Sequence, residues 1–178
     1  EASNSALVMA EGEFVALMDH DDLIPPHALY ELAVVINARP DVDLIYSDED
    51  RVDGEGRRQM GYFKTDWDPD LFLTHNLISH LGAYRRSILQ QIGGFRPGFD
   101  GSQDYDLALR FIRASSSDRI AHIPAVLYHW RINADTSFSN QSLEKCVQAA
   151  RRAIREHLQE QGIEAEVGAS VAVPSNNR

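Results

Sequence analysis

The chain has a single cysteine, Cys146, in 178 residues. It can therefore form neither an internal disulfide nor a cysteine-rich zinc site, and a reducing compartment is expected. No apolar run approaches the length that spans a bilayer, and no stretch has the pattern of a signal peptide. The expected location is cytoplasmic, at most peripheral to the inner face of the cell membrane. Positive charge is scarce as well. Lys and Arg total 17 against 27 Asp and Glu, a formal charge of −10. That balance excludes a general nucleic-acid or anionic-membrane surface and leaves room only for a local basic pocket. No internal repeat is visible. What remains, 43% apolar and 25% charged residues, is the composition of a globular protein with one sizeable core.

The acids are unevenly placed. In Glu13–Asp22, EFVALMDHDD, a short apolar run ends abruptly in Asp19, Asp21 and Asp22 with His20 among them. Phe14–Met18 reads as a strand buried on both faces. The aspartates then stand just beyond a strand's carboxyl end, where an α/β sheet keeps its ligands. Two carboxylates about 4 Å apart repel by roughly 4 kcal/mol at an effective dielectric of 20, so such a cluster calls for a cation, a proton or open solvent. Helix capping by Asp21 or Asp22, ahead of Pro25-Pro26, is the plainer alternative, but it uses only one of the acids.

Along the chain, helical and extended patterns alternate. Asn4–Ala10 has the look of a helix end, with Gly12 its stop, so the chain starts in mid-pattern. A helix is predicted from about Pro26 to Ala38, with Leu29, Leu32, Ala33 and Ile36 on one face and Arg39-Pro40 at its end. Asp43–Ser47 is a second strand running into Asp48, Glu49 and Asp50, and Arg51–Gly61 reads as turn-like. An extended piece is predicted through Asn76–Ala83 and a helix over Arg85–Ile92, stopped at Gly93-Gly94. After the loop FRPGFDGSQ, Asp104–Arg113 is a helix burying Leu107, Ala108, Phe111 and Ile112, and Ile120–Ile132 a strand. A last helix, capped by Ser142 and stopped by Gly162, carries Leu143, Val147, Ala150, Ile154 and Leu158 at helical spacing. This order makes the class α/β.

Four further places can carry chemistry. Ser47–Asp50, SDED, fails as an EF-hand loop because Gly54 is out of register, which leaves a solvated strand end as the bland reading. In GSQDYDLALR, Asp104 and Asp106 open an amphipathic helix, either as acids favoured by the helix dipole or with one carboxylate aimed into a cleft to take a hydroxyl proton. In LYHWR, His129, Trp130 and Arg131 crowd a strand end as a metal ligand, a sugar-stacking ring and a phosphate-binding guanidinium would. KTDW, Lys64–Trp67, flanks an aromatic ring with polar residues.

Taken in order, ASNSALVMAEGEFVALMDHDDLIPPHALYELA, DVDLIYSDEDRVD, FKTDWDPDLF, HLGAYRRSIL, GGFRPGFDGSQDYDLALR and IPAVLYHWR resemble the bacterial family 2 glycosyltransferases, which act on O-antigen and other surface polysaccharides. The resemblance runs from Ala2 to about Gly162. It implies the GT-A fold, a Rossmann-like α/β fold of nucleotide-diphospho-sugar transferases, here a mixed sheet flanked by helices without the N-terminal βαβ segment that holds the nucleotide. Residues 1–165 would be the DXD and acceptor-binding portion and 166–178 a tail or linker, in a longer chain. By this resemblance Asp19-His20-Asp21 is the DXD motif, with Asp21 the principal ligand of a divalent cation, Mn²⁺ or Mg²⁺, and Asp19 on the ribose or the metal. Asp22 is adjacent to the motif, and His129 matches a further metal ligand. Asp104 takes the place of the general base, preceded by Gln103 where many members have Glu. Asp48, Glu49, Asp66 and Trp67 would shape the substrate pockets, with Trp130 on a sugar ring and Arg131 on phosphate.

The activity implied is inverting transfer of a sugar from a nucleotide-diphosphate donor to a saccharide or lipid-linked saccharide. No nucleic-acid partner is expected. A second copy of the chain, or further domains, would cover the open side of the Phe14–Met18 strand. Two rivals stay open at this point. One is a non-catalytic module that binds metal or carbohydrate, which requires Asp104 to be a buried cap pointing away from Asp21. The other is a nucleotidyltransferase on a similar sheet.

Overall fold

Strand β2, Leu44–Val52, organises the molecule. In the computed structural model, which describes residues 2–132, 140–174 and 176–178 (residues 140–142 by backbone only), it is paired along both sides. Its first residues run antiparallel to β4, Gly82–Arg85, and its last to β3, Arg58–Tyr62. On the other side it lies parallel to β5, Ile120–Arg131, from Leu44↔Ile120 to Val52↔Arg131. Strand β1, Phe14–Leu17, joins β4 antiparallel and closes the list of the five-stranded mixed sheet at its edge.

The two-residue period of β2 divides the interior into two cores. Leu44 and Tyr46 face a larger one, and Ile45 faces a smaller one. The larger core collects Leu7 from α1 (Ala2–Met9), Phe72 from α3 (Pro69–Thr74) and Leu89 from α4 (Arg86–Gln91). It also takes Leu107 and Phe111 from α5 (Gln103–Ala114), and Ala153, Ile154 and Leu158 from α6 (Asn140–Glu160). Phe72, with no exposed surface, has Tyr105 edge-on to its ring at 5.1 Å. Truncating such a phenylalanine to alanine costs about 3–5 kcal/mol. The smaller core is Ala28 and Leu32 of α2 (Ala28–Ala38) against Leu127, Tyr128, Leu81 and Ala83.

Helix ends follow local chemistry. Asp68 caps α3 by accepting from the Asp70 and Leu71 amides at 2.9 Å, with Pro69 in the first turn. After α4, Gly94 at φ +66° returns its N–H to the Leu89 carbonyl at 2.9 Å, a conformation a side chain would strain.

Several expectations are corrected. Strand β1 is not buried on both faces: Ala16 is exposed and its neighbours are half-buried, because the strand sits at the sheet edge with a single partner and lines a cleft. The buried face of α2 is Ala28, Leu32, Val35 and Ile36, a rotation that leaves Leu29 and Ala33 exposed. Neither Asp21 nor Asp22 caps this helix, whose N-cap is His27. Arg51–Gly61 is a β-hairpin rather than a turn alone, closed where the Asp53 carboxylate accepts the Glu55 and Arg57 amides at 3.0 Å. Helix α6 begins at Asn140, ahead of Ser142, whose side chain lies outside the described residues, and Leu143 is 48% exposed. Beyond α6, Val167 enters the larger core and the Asn177 amide donates to the Thr74 carbonyl at 2.8 Å, so these residues fold back on the domain.

Candidate active site

The acidic loop after β1 is built by the end of β5. The Asp22 amide closes a turn on the Asp19 carbonyl at 3.3 Å. Asp22 itself is buried: one carboxylate oxygen accepts the Tyr128 hydroxyl at 2.6 Å and the other the Arg131 amide at 2.8 Å. The Tyr128 oxygen also accepts the Asp19 amide at 3.1 Å, and Leu23 and His129 exchange backbone hydrogen bonds at 3.1 and 2.8 Å. So anchored, the loop presents Asp19 and Asp21 outward, with side chains 59% and 43% exposed. Among the described residues, no hydrogen bond consumes either carboxylate; His80 Nε2 is 4.0 Å from Asp19 and His20 Nδ1 is 3.8 Å from Asp21.

Asp104 stands in the first turn of α5 and lines the same cleft, of about 470 Å³, as Asp19. Val15–Met18, Ser79, His80, Gln103 and Trp130 contribute to the same cleft. The Asn76 amide donates to Asp104 Oδ2 at 2.8 Å. Burial pushes the Asp104 carboxyl above the ordinary carboxylate range; His80 and nearby backbone amides oppose the shift, while Asp19 adds to it. Asp106, two residues on, has a different fate. It is buried and gripped by Arg96 (2.5 Å) and Arg110 (3.0 Å). Its charge is neutralised in the scaffold.

His80 lines the same cleft. Its ring stacks on Tyr128 at 4.5 Å and tilts against Trp130 at 5.6 Å. Its backbone is clamped by an ion pair: the amide donates to Glu49 Oε2 at 3.0 Å and the carbonyl accepts Lys64 Nζ at 2.7 Å. Lys64 Nζ also meets Glu49 Oε2 at 3.1 Å, and burial pulls this ammonium below the ordinary lysine range, with Glu49 opposing. Hollows of similar size occur elsewhere, between α5 and α6 and beside Asp43. Their walls are ion pairs already closed on themselves, Arg96–Asp106–Arg110 and Arg85–Asp43–Arg119.

Ser47–Asp50 is not a solvated strand end. Asp48, Glu49 and Asp50 are buried at 4%, 8% and 5% exposure, and each has a partner from another element. Asp48 Oδ1 meets His122 Nε2 at 2.9 Å and the Lys64 amide at 2.9 Å. Asp50 meets His129 Nδ1 at 2.5 Å and Arg58 at 2.5 Å. The parallel β2/β5 register sets Asp50 opposite His129, while His122, opposite Tyr46, reaches Asp48 along the strand. Asp48 and Glu49 are therefore spent on protein partners rather than lining the cleft, Glu49 on Lys64 and the His80 amide.

Of the residues singled out from sequence, the structure brings Asp19, Gln103, Asp104 and Trp130 together in the cleft. Asp21 is on the adjoining loop. His129 is turned to Asp50 rather than forming the cleft wall, and among the described residues no group of three or more His, Cys, Asp or Glu converges as a metal site. The Asp66 carboxylate is 99% exposed and 3.4 Å from His122 Nδ1. Trp67 packs on Phe72 at 5.1 Å against the larger core, its Nε1 buried without a partner among the described residues, so it is not an open stacking face. Arg131 is exposed beyond its backbone bond to Asp22. Sequence reasoning missed Asn76, His80 and Tyr128. Their only local signal is a polar residue inside an extended apolar stretch.

A family model described as glycosyl transferase family 2 matches residues 1–93, just over half of the chain. The chain is 45% identical over 159 residues to the uncharacterized protein y4gI of Sinorhizobium fredii, covering 89% of this chain and 18% of that protein. It is 42% identical over 167 residues to the O-antigen biosynthesis protein RfbC of Myxococcus xanthus, covering 93% of this chain and 13% of that protein. It thus spans under a fifth of the length of either relative. Among solved structures, Staphylococcus aureus TarS 1–349 superposes with a TM-score of 0.55 at 17% identity, over 94% of this chain and 72% of that one. The mannosyltransferase PcManGT of Pyrobaculum calidifontis, in complex with GDP-Man and Mn²⁺, gives 0.53 at 21% identity, over 93% and 44%. Glucosyl-3-phosphoglycerate synthase of Mycobacterium tuberculosis, with Mn²⁺, UDP-Glc and glycerol 3-phosphate, gives 0.54 at 18% identity, over 93% and 56%. At these identities the structural likeness establishes the fold, GT-A, with a mixed sheet between helices. The chain belongs to glycosyl transferase family 2.

Proposed function

We propose that this chain carries the acidic-loop and acceptor-side portion of an inverting glycosyltransferase. It moves a sugar from a nucleotide-diphosphate donor to a hydroxyl of a saccharide or lipid-linked saccharide in surface-polysaccharide synthesis. The observation that carries the reading is the single cleft shared by Asp19 and Asp104, acids far apart in sequence. A non-catalytic module would need Asp104 to be a cap directed elsewhere. The O-antigen biosynthesis role of the Myxococcus relative and the nucleotide sugars held by the structural neighbours support the same chemistry.

Each residue has a task. Ionised Asp104 takes the proton from the acceptor hydroxyl as its oxygen attacks the anomeric carbon opposite the departing diphosphate, so configuration inverts. A base placed this way contributes about 10²–10⁴-fold. Trp130, 40% exposed beside the cleft, offers a ring face to the sugar. Arg131, at the end of β5, is assigned to phosphate.

The acid loop offers two carboxylates to a divalent cation. Asp19 and Asp21 are open oxygen donors with no competing hydrogen bond among the described residues. Asp21 and Asp19 would hold Mn²⁺ or Mg²⁺, and the bound ion would stabilise negative charge on the leaving diphosphate; His129, turned to Asp50, does not converge with them as a third ligand among the described residues.

The test is nucleotide release by the full-length enzyme across a panel of nucleotide sugars with Mn²⁺ and Mg²⁺. Asp104→Asn is expected to abolish transfer while calorimetric donor affinity survives; equal loss of affinity would refute the base role. Asp21→Ala is expected to remove metal stimulation and activity together. Full metal-stimulated turnover in that variant would exclude Asp21 as a ligand.

A further inference from the structure

Asp104 and Asp106 start the same helix turn, yet their surroundings differ in kind. Two arginines hold Asp106. Such partners neutralise a carboxylate and make it a poor base. Asp104 is held by a neutral amide, Asn76 Nδ2, at 2.8 Å on Oδ2. Among the described residues this is the side chain that donates to it. The neighbouring Gln103 gives Asp104 no hydrogen bond among the described residues; its amide oxygen accepts the Gly101 N–H at 2.7 Å.

Asn76 is itself well fixed. Its Oδ1 accepts the Ser79 amide at 3.1 Å, which determines which end of its amide faces Asp104. The segment after it is pinned by fully buried Leu77 and Ile78 and by Lys64, whose ammonium reaches the Ile78 carbonyl at 2.8 Å and the His80 carbonyl at 2.7 Å. A carboxylate's last torsion is broad and two-fold, so an unheld aspartate presents either oxygen in many orientations. The Asn76 amide on Oδ2, together with the neighbouring Tyr105 and Asp104 backbone amides, orients the carboxylate without bringing a cation that would cancel its charge.

We propose that Asn76 is the positioning residue of the reaction, orienting Asp104 so that one oxygen is held and the other faces the acceptor hydroxyl. This rests on Asp104 being the base. Burial of the Asp104 carboxyl, which raises its proton affinity, adds to the value of a neutral partner.

Two substitutions separate orientation from simple loop support. Asn76→Asp keeps an oxygen for the Ser79 amide but loses the N–H that Asp104 needs. Asn76→Ser keeps a local hydroxyl for the same turn but is too short to reach Asp104. Asn76→Ala loses both bonds. Nucleotide release by the full-length enzyme is measured with UDP-glucose or GDP-mannose and Mn²⁺, water serving where no sugar acceptor does. Both Asn76→Asp and Asn76→Ser are expected to lower kcat about 10- to 100-fold, the effect of a lost hydrogen bond to a charged group, with donor KM nearly unchanged. Crystal structures of the two variants should show the Asp104 carboxylate rotated. Near-normal kcat in both, with Asn76→Ala alone impaired, or an unrotated Asp104, would overturn the positioning role. An active Asp104→Asn enzyme would instead overturn the base assignment beneath it.

Discussion

Replacing Lys64 by methionine should reveal how the cleft is supported. The lysine side chain has no exposed surface, and its ammonium spends its three protons on Glu49 Oε2 (3.1 Å), the Ile78 carbonyl (2.8 Å) and the His80 carbonyl (2.7 Å). It joins β2 to the segment that carries Asn76 and His80. Methionine fills similar volume but leaves Glu49 buried with the His80 amide at 3.0 Å and no cation. Breaking a buried pair from one side costs about 3–5 kcal/mol. At about 2–4 °C per kcal/mol for a chain of this size, Tm should fall by about 6–20 °C. Adding Glu49→Gln to Lys64→Met removes the stranded charge and keeps an acceptor for the His80 amide, so it should recover much of the loss. Urea unfolding of the wild type, both single variants and the double variant gives the coupling directly. A Lys64→Met cost below about 1 kcal/mol, or additive effects of the two substitutions, would refute the reasoning.

Other consequences are equally direct. Asp104 has a raised proton affinity in the folded state, so stability should fall as pH rises from the ordinary carboxylate value of 3.8 through the folded one and stay reduced above it. Asp104→Asn, which keeps an oxygen for Asn76, should therefore raise Tm at pH 7 and lose that advantage in acid; a pH-independent difference between the two melting curves would contradict this. Asp22→Ala strands the Tyr128 hydroxyl and the Arg131 amide and should cost about 2–3 kcal/mol in urea unfolding, while loosening the loop enough to weaken Mn²⁺ binding by calorimetry. A stable variant with unchanged metal affinity would show that Asp22 does not shape the loop. Arg85 spans Asp43, Glu13 and the carbonyls of Pro40 and Val42, a fork lysine cannot reproduce. Arg85→Lys should lower stability by about 1–3 kcal/mol, and an unchanged denaturation midpoint would disprove it.

The periodic and punctuated parts of the chain were legible as sequence. Leu107, Ala108 and Phe111 recur at helical spacing and are buried in α5, and Gly93-Gly94 ends α4 where the glycines stand. The apolar run before Asp19 is a strand, but its exposure was not legible, since edge or centre depends on which strand lies beside it. The facing of α2 departs from the expected Leu29–Leu32–Ala33–Ile36 stripe because apolar residues occur on several sides of this helix, and only the sheet beneath selects Ala28, Leu32, Val35 and Ile36. The SDED acids were harder still. Their partners Lys64, His122 and His129 lie 15, 74 and 79 positions away.

Local composition by itself determined the α/β alternation, the acidic loop at Asp19–Asp22 and the family to which the order of motifs belongs. Those signals act within a few residues, through side-chain period, capping and turn chemistry. Only the tertiary structure decided which acids are free and which are spent. Asp22 and Asp106 look as available in the sequence as Asp19 and Asp104, yet Tyr128, Arg96 and Arg110 close on them. A carboxylate's chemistry is set by the donors and cations folding brings within hydrogen-bond reach, and these come from distant elements.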